Sequence, residues 1–329
     1  VGENANIQKM AELLSTRLFR EFFWEKVGPE NQSWKCEDEN HNKSDHPADT
    51  VFFYDEPYSA KRTYVHTDLK SYGSSSLSNH AIQKAFDSLV QQVSCAEKSQ
   101  EWCDLYMHKT VNPEVVGLLF IYNHDDNYTQ DFKSLLRALK LDGADLPKGS
   151  RIFVMGPEDV LWINNIRNDL IYMRGGGEGA AIPGPERCSF YYPQMVRKAN
   201  INIDYAKAAT LEMLLSPWTV FYYKDENERN GYIIYYRESG GTEEEFVYLI
   251  DYLRHHQILS ADTDITIKML GGSPALSSMF EKAKKNYIET FSYGRNDTSL
   301  ASLVSDIKIK IMENKIPNFE AIEIGMGER

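Results

Sequence analysis

Apolar residues recur at helical spacing through residues 5–27, at Ile7, Met10, Leu13, Leu14, Leu18 and Phe22. The pattern predicts an amphipathic helix that stops at Gly28-Pro29. Residues 30–48 are polar and read as a loop. Residues 50–54 are apolar and aromatic, a strand, and Asp55-Glu56-Pro57 is a turn. Residues 63–72 form the next strand, on which side chains two apart share a face. Tyr64, His66, Asp68 and Lys70 point one way; Val65, Thr67 and Leu69 point the other. The two strands and their short turn predict an antiparallel hairpin.

A serine-rich turn at 73–79 can cap the helix that follows, predicted over 79–108 with Ile82, Phe86, Leu89, Val90 and Val93 on its buried side. Residues 114–122 are apolar on both faces, the mark of a central strand. A helix over 129–140, a strand over 151–155 and a helix over 157–172 complete a first region. This order implies a mixed sheet covered by helices. The run Arg174-Gly175-Gly176-Gly177-Glu178-Gly179 lacks a Walker lysine and reads as a flexible loop rather than a phosphate cradle.

Beyond it the pattern starts again: helix 204–216, aromatic strands 218–223 and 231–236, helix 242–257, strand 265–270, then helices 275–288 and 298–313. The expected architecture is α/β, a mixed sheet flanked by helices over 1–195, plus a smaller α+β domain over 196–329. No internal repeat is legible in the residues themselves.

Composition sharpens this picture in three ways. No apolar run reaches the roughly 18 residues of a membrane helix, and residues 1–10 lack the basic start and apolar stretch of a signal peptide. Cytoplasmic residence, away from any membrane, is the expectation. Cys36, Cys95, Cys103 and Cys188 make no C-x-x-C pair, so Cys36, His41 and His46 read as parts of a polar loop rather than as a zinc site. The net charge of −12 argues against nucleic-acid binding by the surface as a whole, so any such activity needs a local basic face, a cation or a basic partner.

Candidate chemistry gathers near the N-terminus. Asp49 enters the first strand, and Asp68 and Lys70 share a face at the end of the second. Two carboxylates about 4 Å apart repel by roughly 4 kcal/mol at an effective dielectric near 20. A fold that joins them must protonate one, solvate both or bind a cation. Asp49 and Asp68 are the expected metal ligands, with the Leu69 carbonyl between the two functional side chains as a third. Glu12, on the first helix, can add a carboxylate; Glu21 and Glu25 compete for that place. Lys70 would orient the attacking water or help deprotonate it. Alone, each of these residues is an ordinary surface or strand-end charge.

Weaker candidates surround them. His66 lies on the Asp68 face and reads as a structural histidine. Gln83 and Gln91 read as solvated helix residues, and His124-Asp125-Asp126 as a turn. Lys43, Lys61, Arg62, Lys109, Arg137 and Lys140 are the basic residues available to phosphates, and none forms a run.

The order of a helix with an acid, His46-Pro47-Ala48-Asp49 before an apolar strand, Thr67-Asp68-Leu69-Lys70-Ser71, a long helix and a buried strand resembles the PD-(D/E)XK nuclease superfamily. The resemblance covers roughly residues 5–172. It departs in that Pro47 and Asp49 are not adjacent and Asp68 stands where Glu is more usual. It implies a restriction-endonuclease-like fold, with Glu12, Asp49, Asp68 and Lys70 catalytic and Mg²⁺, or Mn²⁺ in its place, as cofactor. The implied activity is phosphodiester hydrolysis in DNA by an effector subunit of a bacterial anti-phage system, partnered by a second protein or by further copies of itself. The alternatives are an inactive nuclease-fold scaffold and an RNA nuclease.

Overall fold

The computed structural model describes residues 15–108, 112–125, 127–141, 150–177, 181–193, 207–292 and 298–312. These fall into two compact units that divide between Asn164 and Asn165.

In the first unit, helix α1 covers 15–21 among the described residues. Strand β1 (Glu25–Val27) follows, then a small antiparallel hairpin of β2 (Gln32–Lys35) and β3 (Asp45–Ala48). Strands β4 (Thr50–Asp55) and β5 (Arg62–Tyr72) precede helices α2 (Asn79–Ala96) and α3 (Gln100–Tyr106). Then come β6 (Pro113–Asn123), α4 (Phe132–Arg137), β7 (Ile152–Met155) and α5 (Pro157–Arg174). The main sheet runs β1-β4-β5-β6-β7, antiparallel through β5 and parallel from β5 to β7.

Both faces of this sheet are covered. On one, Phe19 of α1 packs edge-on against Phe52 and Phe120 and stacks on Trp24. On the other, α2 buries Ile82, Phe86, Leu89, Val90 and Val93 against Val51, Phe53, Tyr64, Val115, Leu119 and Ile121. Gly117 lets α2 come close: a Cβ there would stand 2.8 Å from a Val93 methyl and 3.1 Å from Leu89 Cγ. Ser78 caps α2 by accepting from the Ala81 N–H at 3.3 Å.

Several expected elements change. The first helix ends at residue 21 in the structure, and Glu25–Val27 pairs with β4 instead. Gly28 does stop the chain's course, with φ +68° and the Tyr106 ring where a Cβ would be. The loop expected over 30–48 contains the β2–β3 hairpin. The helix expected over 79–108 breaks in two because Ser99 caps a fresh start, accepting from Trp102 N–H. The helix expected over 298–313 is helical only at Thr298–Ser305; Lys308–Ile311 alternates in character and joins a sheet.

The second unit holds residues 165–174 of α5, β8 (Cys188–Phe190), α6 (Leu211–Leu214), β9 (Trp218–Lys224) and β10 (Asn230–Tyr236). Then come α7 (Glu243–His255), β11 (Thr263–Met269), α8 (Leu276–Phe291), α9 (Thr298–Ser305) and β12 (Lys308–Ile311). Its sheet runs β8-β9-β10-β11-β12, antiparallel through β10 and parallel from β10 to β12. This is the strand order and direction of the first sheet. A helix again links its first parallel pair: α7 between β10 and β11, as α2 between β5 and β6. The chain therefore repeats a topology that its residues do not advertise. One face of the second sheet packs Val220, Ile234, Ile267 and Met269 against Phe246, Leu249, Leu253 and Phe280. On the other, Asp169 of α5 receives Lys268 Nζ at 2.8 Å and the Tyr235 hydroxyl at 2.7 Å.

Candidate active site

The β4–β5 ladder positions the acids. Thr50 faces Thr67, Val51 faces His66 and Phe53 faces Tyr64. One step further along this register, Asp49 meets Asp68, on the face that α2 covers. Oδ2 of Asp49 accepts from the backbone N–H of Leu69 at 2.7 Å. Asp68 is 3% exposed, and its Oδ1 accepts from Lys70 Nζ at 2.6 Å. Asp68 Oδ2 is buried without a hydrogen-bond partner among the described residues.

Burial first, and then the Asp68 charge, push the Asp49 carboxyl up to about 7; the Leu69 N–H and Lys70 only partly oppose them. Burial works against the Lys70 ammonium, but the charge of Asp68 and its hydrogen bond outweigh burial and hold the lysine above its ordinary range. Lys70 is thus a firm cation here, suited to neutralise charge rather than to accept a proton.

This arrangement fits a divalent cation. Two carboxylates meet at one place, burial and then the Asp68 charge drive Asp49 toward protonation, and Asp68 Oδ2 has no hydrogen-bond partner among the described residues. Hard oxygen donors of this kind are what Mg²⁺ takes. Lys70 alone offsets one of the two negative charges.

The remaining candidates divide. Glu12 lies outside the described residues, as do Lys109 and Asp126. Glu25 is not on a helix: it faces Phe53, four residues along β4 from Asp49. His66 is fully buried, and Trp102 Nε1–H donates to its Nδ1 at 3.2 Å. Indole nitrogen only donates, so the proton of His66 sits on Nε2 and is given to Gln92 Oε1 at 2.9 Å. Burial lowers its pKa, and the residue is a neutral structural link. Gln83 ties α2 to the chain after α4, through the N–H and carbonyl of Lys140. Asp125 accepts from the Ser74 N–H and hydroxyl and from Asn123, and these bonds hold it well below the usual carboxylate range. It fastens the turn after β5.

Lys61 and Arg62 sit at the opposite end of β5 from Asp68. Arg62 forks onto Asp55 at 2.8 and 3.1 Å, and Lys61 lies 3.8 Å from Glu114. They do not serve this site. A second group of side chains, Cys36, His41, His46 and Cys95, converges beside α2. The sequence alone reads Cys36, His41 and His46 as a polar loop rather than as metal ligands and does not join Cys95, far along the chain, to them; the fold brings all four together.

Residues 1–159 match the family of the GAPS4 protein PD-(D/E)XK nuclease domain. This stretch of the chain is similar to a PD-(D/E)XK nuclease domain. The match takes in α1 through the start of α5, with Asp49, Asp68 and Lys70 inside it. No curated protein and no solved structure gives a significant match. Among the described residues, no helix is long and apolar enough to cross a membrane.

Proposed function

We propose that the chain is a metal-dependent endonuclease that hydrolyses DNA and acts as the effector subunit of a bacterial anti-phage system. The observation that carries this reading is the meeting of Asp49 with Asp68, beside a lysine bonded to one of them. The similarity of residues 1–159 to a nuclease domain supports it.

In this reading Asp49, Asp68 and the Leu69 carbonyl hold Mg²⁺, or Mn²⁺, and Glu12 adds a further carboxylate. The ion, when bound, polarises a phosphoryl oxygen and makes a bound water more acidic. Leu69 N–H fixes the direction of the Asp49 carboxylate. Lys70 stays an ammonium, steadies Asp68 and offers its remaining N–H groups to a phosphate oxygen or to the attacking water. The −12 net charge opposes the approach of a polyanion, which favours a partner with basic surface, either a second protein or an assembly of several copies.

Incubation with plasmid, linear DNA and RNA, each with Mg²⁺, Mn²⁺ or chelator, tests the proposal. Cleavage of DNA that needs the cation and disappears in Asp68→Ala and Lys70→Ala is the expected result. Unchanged cleavage by both variants would overturn it, and cleavage of RNA alone would replace DNA as the substrate.

A further inference from the structure

We infer that Cys36, His41, His46 and Cys95 bind one structural Zn²⁺. The four ligand atoms all lie within 4.8 Å of one another. With Zn–S near 2.3 Å and Zn–N near 2.0 Å, a tetrahedral site has edges of about 3.8 Å between sulfurs, about 3.5 Å between sulfur and nitrogen and about 3.3 Å between nitrogens. Cys36 Sγ and Cys95 Sγ stand 3.7 Å apart. His41 Nδ1 is 3.6 Å from Cys36 Sγ and 3.2 Å from Cys95 Sγ. His41 Nδ1 and His46 Nε2 are 3.4 Å apart. Each distance lies near the edge of such a tetrahedron.

Hydrogen bonding does not account for the cluster. An imidazole nitrogen has one proton or one lone pair in the ring plane. Three atoms crowd His41 Nδ1, and one bond serves only one of them. A cation at the centre serves all four ligands at once. On the far side of the ring, Ser94 Oγ lies 3.4 Å and Asp38 Oδ2 3.9 Å from His41 Nε2. Such outer partners place the proton on Nε2 and leave the Nδ1 lone pair facing inward. On binding, Zn²⁺ displaces the two thiol protons to solvent, and two thiolates with two neutral imidazoles leave the centre without net charge. That neutrality suits a position where His46 and Cys95 are fully buried.

The placement gives the ion a role. Cys36 follows β2, His41 lies in the loop, His46 is on β3 and Cys95 is near the end of α2. The ion staples the hairpin to the helix that covers the active-site face. His46 is three residues before Asp49, so the staple also fixes the chain as it enters β4. This positioning effect rests on the nuclease reading; the metal content does not.

The test uses the full chain after extensive dialysis. Elemental analysis is expected to find one zinc per chain, and Co²⁺ replacement to give tetrahedral ligand-field bands with thiolate charge-transfer absorption. Cys95→Ser should lose the metal and lower the unfolding temperature. Cys103→Ser and Asp68→Ala should keep the metal, which separates this centre from the nuclease site. If Cys95→Ser does not fold, the stoichiometry and Co²⁺ spectrum of the wild-type chain decide. Folded wild-type protein that holds no zinc and gives no Co²⁺ bands would overturn the inference. So would a Cys36–Cys95 disulfide in unreduced peptide maps, or unchanged zinc in folded Cys95→Ser.

Discussion

The backbone N–H of Leu69 holds Oδ2 of Asp49 at 2.7 Å, so the strand that carries Asp68 also orients the carboxylate facing it. Asp49→Asn keeps an oxygen for that N–H and removes one of two repelling charges. Its expected outcome is a loss of cleavage of at least about 100-fold with no loss of stability. Asp49→Ala leaves the N–H unpaired and should lose about 1–3 kcal/mol as well. Plasmid cleavage and urea unfolding on the two variants separate the chemical role from the structural one.

Lys70 and Asp68 form the second link. Among the described residues, removing the ammonium leaves a nearly buried carboxylate with Oδ1 unpaired and Oδ2 already without a partner. Lys70→Ala should therefore lose cleavage and also about 1–3 kcal/mol of stability. Asp68→Asn/Lys70→Ala should recover most of the stability and none of the cleavage. Urea midpoints across this cycle measure the coupling.

The raised Asp49 carboxyl fixes the sign of a pH effect. Unfolded aspartate titrates near 3.9, and the folded group near 7. Between those values the folded chain holds the extra proton, so this group's contribution to stability falls as pH rises and is fully unfavourable above about 7. His66 acts in reverse: its lowered pKa means the unfolded chain takes the proton first, and stability falls as pH drops below about 6.5. Without added divalent cation, wild-type protein should lose more stability than Asp49→Asn between about pH 5 and pH 8. Added Mg²⁺ should restore more of it at the higher pH. Equal pH slopes in the two proteins would remove Asp49 as the cause.

The main sheet was largely legible because its strands carry strong local signals. β4 is a short apolar and aromatic run, β5 follows it across a turn with side chains alternating between faces, and β6 is apolar on both faces, the mark of a central strand. The pair Asp49 and Asp68 was legible through the same alternation, since one register places both on the α2 face. Other features depend on contacts that no local pattern encodes. Glu25–Val27 continues a helical spacing yet is captured by β4. The β2–β3 hairpin buries little beyond Trp34, His46 and Ala48 inside a polar segment. Cys95 sits on a helix stripe where a cysteine is an ordinary small apolar residue. The repeated topology is carried by strand order alone, with different side chains in the two sheets.

In the second unit, Lys268 is 1% exposed and bonded to Asp169, which also accepts from Tyr235. Breaking a buried pair strands a charge. Lys268→Met should cost about 3–5 kcal/mol, whereas Lys268→Met/Asp169→Leu should cost far less, because apolar replacements restore packing without an orphaned carboxylate. Thermal unfolding of the single and double variants measures the difference. Equal losses would mean that the pair does not stabilise the unit through its charge.

The repeated topology raises the question of a second catalytic centre, and the register answers it. In the first sheet, Asp49 and Asp68 meet one step past the end of the β4–β5 ladder. At the same end of the β9–β10 ladder the facing residues are Trp218 and Tyr236. Trp218 packs on Tyr248 and Tyr252 of α7, and the Tyr236 hydroxyl lies 3.1 Å from Glu245 Oε2. Aromatic rings occupy this end of the ladder on the face that α7 covers, and Pro217 and Arg237 stand one step past it, where the first unit has Asp49 and Asp68. One nuclease centre per chain is expected. Asp68→Ala should then remove all cleavage, with no residue from the second unit. A chain acting alone should open supercoiled plasmid to the nicked circle before any linear form appears, since one centre cuts one strand at a time. Linear product from the outset would require two chains acting together. Mixing wild-type with excess Asp68→Ala chains should then convert linear product to nicked circle. Cleavage that survives in pure Asp68→Ala would place a working site elsewhere in the protein.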